Sequence, residues 1–206
     1  MLDLFISAFA TLFVVIDPPG CAPIFASLTG GATPQQRRAM ALRSVLVAGA
    51  ILLVFALFGE AFLRALGISL DAFRIAGGIM LFLIALEMVF EKRQARREER
   101  AEDVKAQPAH DDISIFPMGI PMIAGPGSIA SAMLLTSRAE GLEQGLVVLG
   151  ALLLVLILTL LALLLAGPLM KLLGYRLEAM ITRILGVVLA ALAVQFVIDG
   201  IRESLI

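Results

Sequence analysis

Asp17-Pro18-Pro19-Gly20 and Gly125-Pro126-Gly127-Ser128 are the tracts whose reading decides how this chain folds. Each interrupts a long apolar run, the two lie about 108 residues apart, and each falls in the first apolar run of its half of the chain. In hydrocarbon no water satisfies backbone groups freed by proline and glycine, so such breaks persist only inside protein or beside a cavity. Paired breaks at matching places in two halves point to the central binding site of a transporter.

The surrounding sequence supports a membrane setting. Of 206 residues, 60% are hydrophobic and 16% charged, and the mean hydropathy is +1.01, too apolar for a soluble domain to cover with polar surface. The 16 Lys and Arg are matched by 17 Asp and Glu, and no basic stripe is interleaved with aromatics, which speaks against a nucleic-acid partner. A single cysteine, Cys21, permits no intramolecular disulfide, and a single histidine, His110, argues against a zinc cage; no metal or cofactor is expected. The first apolar run has no early Lys or Arg and no small-residue cleavage site, so it reads as a membrane helix and not a cleaved signal.

Six apolar segments approach the ~20 residues that cross a hydrocarbon core: Leu4 to Leu28, Ala39 to Phe62, Ala72 to Phe90, Ile113 to Thr136, Leu142 to Ala166 and Ile181 to Ile201. The fifth holds about 17 Leu, Ile and Val side chains, each favouring insertion by ~0.4 kcal/mol. The first must offset Asp17, which costs ~3 kcal/mol at the bilayer centre. Thr33-Pro34-Gln35-Gln36 has the form of a helix start, with a threonine cap, proline in the first turn and a glutamine able to reach back. The charged run from Glu91 to Asp112 reads as an extension of the third helix into water, ended by Pro108, and as a solvated connector without a binding role. Arg37, Arg38 and Arg43, six basic residues of the 91–112 connector, and Lys171, Arg176 and Arg183 share one side, against about four on the other. By the positive-inside rule both termini are periplasmic and the charged connector is cytoplasmic.

The halves resemble each other. Leu66-Gly67, Leu70 and Asp71-Ala72 recur 107 residues later as Leu173-Gly174, Leu177 and Glu178-Ala179, and Arg74-Ile75 with Gly77 returns as Arg183-Ile184 with Gly186. Three spans per half would insert the second half in the opposite sense. The expected fold is therefore an all-α membrane protein of six spans in two inverted three-helix repeats, 1–90 and 113–206, each beginning with a broken helix. Asp17 before Pro18 and Gly125 before Pro126 would open two half-helices whose N-termini face one interior region and suit an anionic group. Ser128 adds a hydroxyl, and Asp17 could face an ammonium group, so a small zwitterion would satisfy both.

These residues resemble a known family. Pro117, Pro121 and Ala124-Gly125-Pro126-Gly127-Ser128-Ile129 are similar to the second-half pattern P-x-x-x-P-x-x-A-G-P-G-S/T-I of the MarC family, also called the small neutral amino acid transporter family. Asp17-Pro18 with Pro23, Gly67-Ile68-Ser69 with Arg74-Ile75-Ala76-Gly77-Gly78, and Val194-Gln195-Phe196 with Asp199-Gly200-Ile201 agree as well. The resemblance implies a six-span bacterial inner-membrane protein, with some members linked to movement of alanine, glycine and similar solutes.

The candidate solute-binding residues are thus Asp17, Pro18, Pro19, Gly20, Gly125, Pro126, Gly127, Ser128 and Gln195; no catalytic residue is assigned. Each has a plainer reading: Asp17 as a helix cap, the prolines as kinks, and Gln195 as a hydrogen-bonding partner of a neighbouring helix. Glu87 reads as a snorkelling side chain, Arg74 and Arg183 as interfacial anchors, Gly77, Gly78 and Gly186 as points of close helix packing, Cys21 as a small packing residue and His110 as a loop residue. The expected function is secondary transport of a small neutral amino acid or similar polar metabolite. A G-x-x-x-x-G-K-S/T tract is absent, leaving coupling to an ion or proton, or facilitated export. A passive channel is the alternative, and a membrane-embedded enzyme a more remote one, since the sequence holds neither a G-x-S-x-G elbow nor a His-Glu-x-x-His pair. If Asp17 contacts solute, Asp17→Asn weakens binding more than folding. Small-residue faces serve equally inside one bundle or between copies, which leaves a homo-oligomer open.

Overall fold

The computed structural model describes residues 1–106 and 112–205. Their regular structure is helical throughout: α1 (Leu2–Ile16), α2 (Pro18–Leu28), α3 (Pro34–Ala65), α4 (Leu70–Val89), α5 (Lys92–Ala106), an irregular helical segment Ser114–Ile123, α6 (Pro126–Ser137), α7 (Gly141–Leu164) and α8 (Ala166–Ser204). Among the described residues, five helical stretches are long and apolar enough to cross a membrane, α1 and α2 counting as one. Six qualify if Ser114–Ile123 and α6, which meet at a 55° bend, form one span. Pro108 and His110 lie outside the described residues.

Local sequence explains where the helices begin. Asp17 takes a left-handed conformation (φ 59°, ψ 65°) that short polar residues tolerate, which stops α1 and restarts the chain as α2 with two prolines in its first turn. The Asp17 Oδ1 accepts from the Gly20 amide at 3.1 Å, so Asp17 caps α2 as the sequence suggests. At α3 the Gln36 amide donates to Thr33 Oγ1 at 3.3 Å and Gln36 Oε1 accepts from the Thr33 amide at 2.9 Å, the reciprocal cap expected there. Pro117 and Pro121 lie in the irregular segment, where Phe116 and Ile120 are extended rather than helical.

The broken helices occupy the middle of the bundle. Ala8, Leu12, Val15 and Ile16 of α1, Ile24 and Phe25 of α2, and Leu134 and Leu135 of α6 are buried, whereas Leu53 and Phe58 of α3, Leu83 of α4, Leu153 of α7 and Val187 of α8 are exposed. An apolar outer face suits lipid; the breaks at Asp17 and Gly125 are buried away from it, whereas the extended residues Phe116 and Ile120 are exposed on it. On the flank, α4 and α8 run antiparallel with glycine at the crossing. A Cβ on Gly78 would lie 2.8 Å from the Ala193 carbonyl oxygen, and one on Gly186 would lie 3.1 Å from that of Ala85. The packing role expected of Gly78 and Gly186 is therefore met, as is that of Gly77, whose Cβ would meet Leu134 Cδ1 at 2.8 Å.

One expectation needs correction. The charged run does not prolong the third span into water, because the chain turns at Glu91 (φ 59°) and α5 packs back against α2 and α4. Gln94, Arg97 and Ala101, spaced three and four apart, form its buried face, while Lys92, Glu98, Glu99 and Glu102 face outward. The apolar segment expected at Ile181 to Ile201 falls within Ala179–Ser204, the apolar part of the longer helix α8.

Candidate functional site

The two breaks meet. A Cβ placed on Gly127, in the first turn of α6, would lie 3.3 Å from Val15 Cγ1, two residues before Asp17, and 2.5 Å from Ile84 Cδ1 of α4. Only glycine lets these three helices approach so closely. Beside this junction lies a cavity of about 410 Å³ whose walls include Val15, Ile84 and Glu87, the Pro121-to-Ser128 turn, and Arg93, Arg96, Arg97 and Arg100 of α5.

The break at α2 is filled from within the chain. Asp17 is completely buried, and its Oδ2 accepts from Arg97 Nη1 at 2.9 Å while Oδ1 caps α2. Arg97 Nη2 also donates to the Ile16 carbonyl at 3.4 Å, and Arg93 Nη2 donates to the Val15 carbonyl at 2.5 Å. The positively charged helix α5 thus seals the carboxyl end of α1, where unpaired carbonyls carry partial negative charge. Both Asp17 oxygens are engaged, so an ammonium group would have to displace Arg97 to reach them. Asp17, Pro18, Pro19 and Gly20 stand next to the cavity without lining it. A Cβ on Gly20 would run into the Asp17 carboxylate at 2.2 Å, which ties this glycine to the ion pair.

The break at α6 is open instead. Gly125 offers no side chain to cap the helix, Pro126 has no amide proton, and Gly125, Pro126, Gly127 and Ser128 all line the cavity. Ser128 Oγ accepts from the Gly125 amide at 2.9 Å and lies 2.6 Å from the Ile123 carbonyl, to which it donates. This hydroxyl holds the turn together at the cavity wall. We expect Ser128→Ala to cost about 1–2 kcal/mol, since it strands two buried backbone groups; thermal unfolding of purified protein in detergent would measure the loss.

Charge in the cavity is one-sided. Glu87 pairs with Arg96 at 2.7 Å rather than merely reaching for headgroups, and Asp17 pairs with Arg97, which leaves Arg93 and Arg100 without a carboxylate partner among the described residues. Burial, followed by the charge of Arg97, lowers the Arg93 pKa to about 10, with Asp17, Cys21 and Glu87 opposing. The group remains a cation at neutral pH.

Gln195 does not line this cavity. Its amide donates to Asp199 Oδ1 at 2.7 Å from an exposed position on α8. Asp199 also pairs with Arg138 at 2.5 Å, and Arg138 sits 4.7 Å over the Phe196 ring, just past the far end of α6. Arg74 is buried against Asp71 and Glu203, and Arg183 pairs with Glu91 at 2.5 Å, so both are held by carboxylates rather than only by the interface. Cys21 is buried, as a packing residue should be.

A family model described as MarC family integral membrane protein matches residues 2–205. The chain belongs to the MarC family. Among its relatives is a UPF0056 membrane protein of Methanocaldococcus jannaschii, 40% identical over all of this chain and 99% of its own length. The UPF0056 inner membrane protein YhgN of Escherichia coli K12 is 36% identical over 96% of this chain and 95% of its own, and YvbG of Bacillus subtilis, a UPF0056 membrane protein, is 33% identical over 98% and 96%. No solved structure matches. Membership in MarC makes the chain an integral, multi-pass membrane protein, in keeping with its helices.

The basic face of α5 was not singled out in the sequence among the functional residues. Its signal was present in Arg93, Arg96, Arg97 and Arg100, which recur at helical spacing on one side of an otherwise mixed-charge run.

Proposed function

We propose that this MarC protein is a secondary transporter that moves small polar solutes, small neutral amino acids and related metabolites among them, rather than an enzyme. The observation that carries this reading is the meeting of two broken spans beside a cavity walled by the uncapped first turn of α6. Irregular backbone inside an apolar bundle is costly and is retained where it binds solute. The two halves run in the same order, a broken span followed by two longer helices, and on our reading they are inverted repeats that rock against each other to expose the cavity alternately. A solute carboxylate would lie against the Gly127 and Ser128 amides, which have no acceptor within a helix start. The positive-inside rule places α5 and the cavity mouth in the cytoplasm and both termini in the periplasm. The name of the E. coli relative supports an inner-membrane location.

Reconstituted protein in preloaded vesicles tests this directly. The expected result is saturable counterflow of a labelled small amino acid or carboxylate. Unsaturated, ohmic flux would instead make the protein a pore, and the absence of flux for every small solute offered would remove the transport reading.

A further inference from the structure

We infer that the cavity beside the two breaks is a site for an oxyanion, a carboxylate or phosphate group with no ammonium beside it. The inference rests on the transport reading for the view that the cavity takes up solute, and it narrows the solute class from neutral amino acids to anions. The cavity, about 410 Å³, has room for a small metabolite or a lipid headgroup. Arg93, Arg96, Arg97 and Arg100 line it from one face of α5, at spacings of three, four and seven residues, which brings four cationic side chains to one wall. Glu87 is the one carboxylate on the wall among the described residues, and it is already bound to Arg96; Asp17 lies behind Arg97 and is bound to it. Four guanidiniums against two carboxylates leave a surplus of two positive charges.

An α-ammonium group entering this space would meet that surplus and find no free acceptor of opposite charge. An oxyanion would meet Arg93 and Arg100, both without a carboxylate partner among the described residues, and the charge-assisted hydrogen bonds of guanidinium to carboxylate or phosphate are among the strongest available to a protein. Arg93 is already held in place by the Val15 carbonyl and by the Met88 sulfur at 3.0 Å, so its orientation costs little on binding. A net-neutral amino acid would therefore bind less well than a net anion of the same size.

Equilibrium binding to the whole purified protein separates the possibilities. In a neutral detergent at low, constant ionic strength, inorganic phosphate and succinate are titrated while the melting temperature is followed, with alanine at equal concentration as comparison and sodium chloride to hold the ionic strength. Saturable stabilisation by phosphate or succinate but not by alanine is the expected result. Arg100→Gln, which removes no ion pair among the described residues, should weaken it at least about tenfold. Arg64→Gln, at an exposed pair with Glu60 on α3, should leave it unchanged. A parallel titration with micelles containing phosphatidylglycerol identifies the source. Stabilisation by that lipid alone, lost in Arg100→Gln, supports the same oxyanion site with a headgroup as occupant. Equal stabilisation by alanine, no stabilisation by any anion, or binding unaffected by Arg100→Gln overturns the inference. Counterflow of alanine without stabilisation by oxyanions would overturn it and leave transport standing; oxyanion binding without any flux would do the reverse.

Discussion

Arg97→Met is expected to destabilise the protein by about 3–5 kcal/mol, a large effect for one side chain, because it leaves the Asp17 carboxylate buried and unpaired. Asp17 is fully buried and the Arg97 side chain is 8% exposed, so water cannot take over the missing partner. Asp17→Asn should also be costly, since it keeps the α2 cap but removes the opposite charge that Arg97 Nη1 meets in a buried place. Removing the charge at Asp17 is therefore expected to reduce folding stability before it reduces binding, the reverse of the sequence-based expectation for a solute-contacting Asp17. The double variant Asp17→Asn/Arg97→Met, which buries no net charge at the pair, should recover much of the loss. Thermal unfolding of the four proteins in one detergent gives the cycle; losses that simply add, with no coupling of about 1–3 kcal/mol, would mean that the pair does not act as a unit.

Gly78→Leu is expected to cost about 3 kcal/mol, on the order of a 10 °C fall in melting temperature. The Cβ alone would lie 2.8 Å from the Ala193 carbonyl oxygen and 3.1 Å from the Val197 amide nitrogen, so α8 must move as a body to admit it. Gly150→Ala on α7 is the contrast, since nothing lies within 4 Å of its Cβ and the exchange should be neutral or slightly stabilising. If both exchanges left the melting temperature unchanged, the close approach of α4 and α8 would not hold the bundle together.

The sequence makes a good deal legible through local chemistry. Proline and glycine state their effect on the backbone wherever they stand, so the breaks at Asp17-Pro18 and Gly125-Pro126, the cap at Thr33 and the Asp17 cap of α2 could be read from neighbouring residues. Span lengths follow from the thickness of hydrocarbon, and Leu70–Val89 and Gly141–Leu164 fall within two residues of the limits that hydropathy suggests. The membrane-embedded, helical character of the chain needs no tertiary information at all.

Placement was different. Arg97 meets Asp17 across 80 residues and Arg93 meets Val15 across 78, and no periodicity in a charged run tells a solvated helix from one folded back on a break. The surroundings of Gln195 were illegible for the same reason: a polar side chain on an apolar helix can serve the interior or join an ion pair such as Asp199–Arg138, and only the rotation of α8 in the bundle chooses. Composition and the backbone preferences of single residues thus determined what the elements are and where they break, since those terms act over a few residues. Which charges face which cavity was decided by the tertiary structure, because pairing energies depend on distances that the chain sets only once the helices have packed.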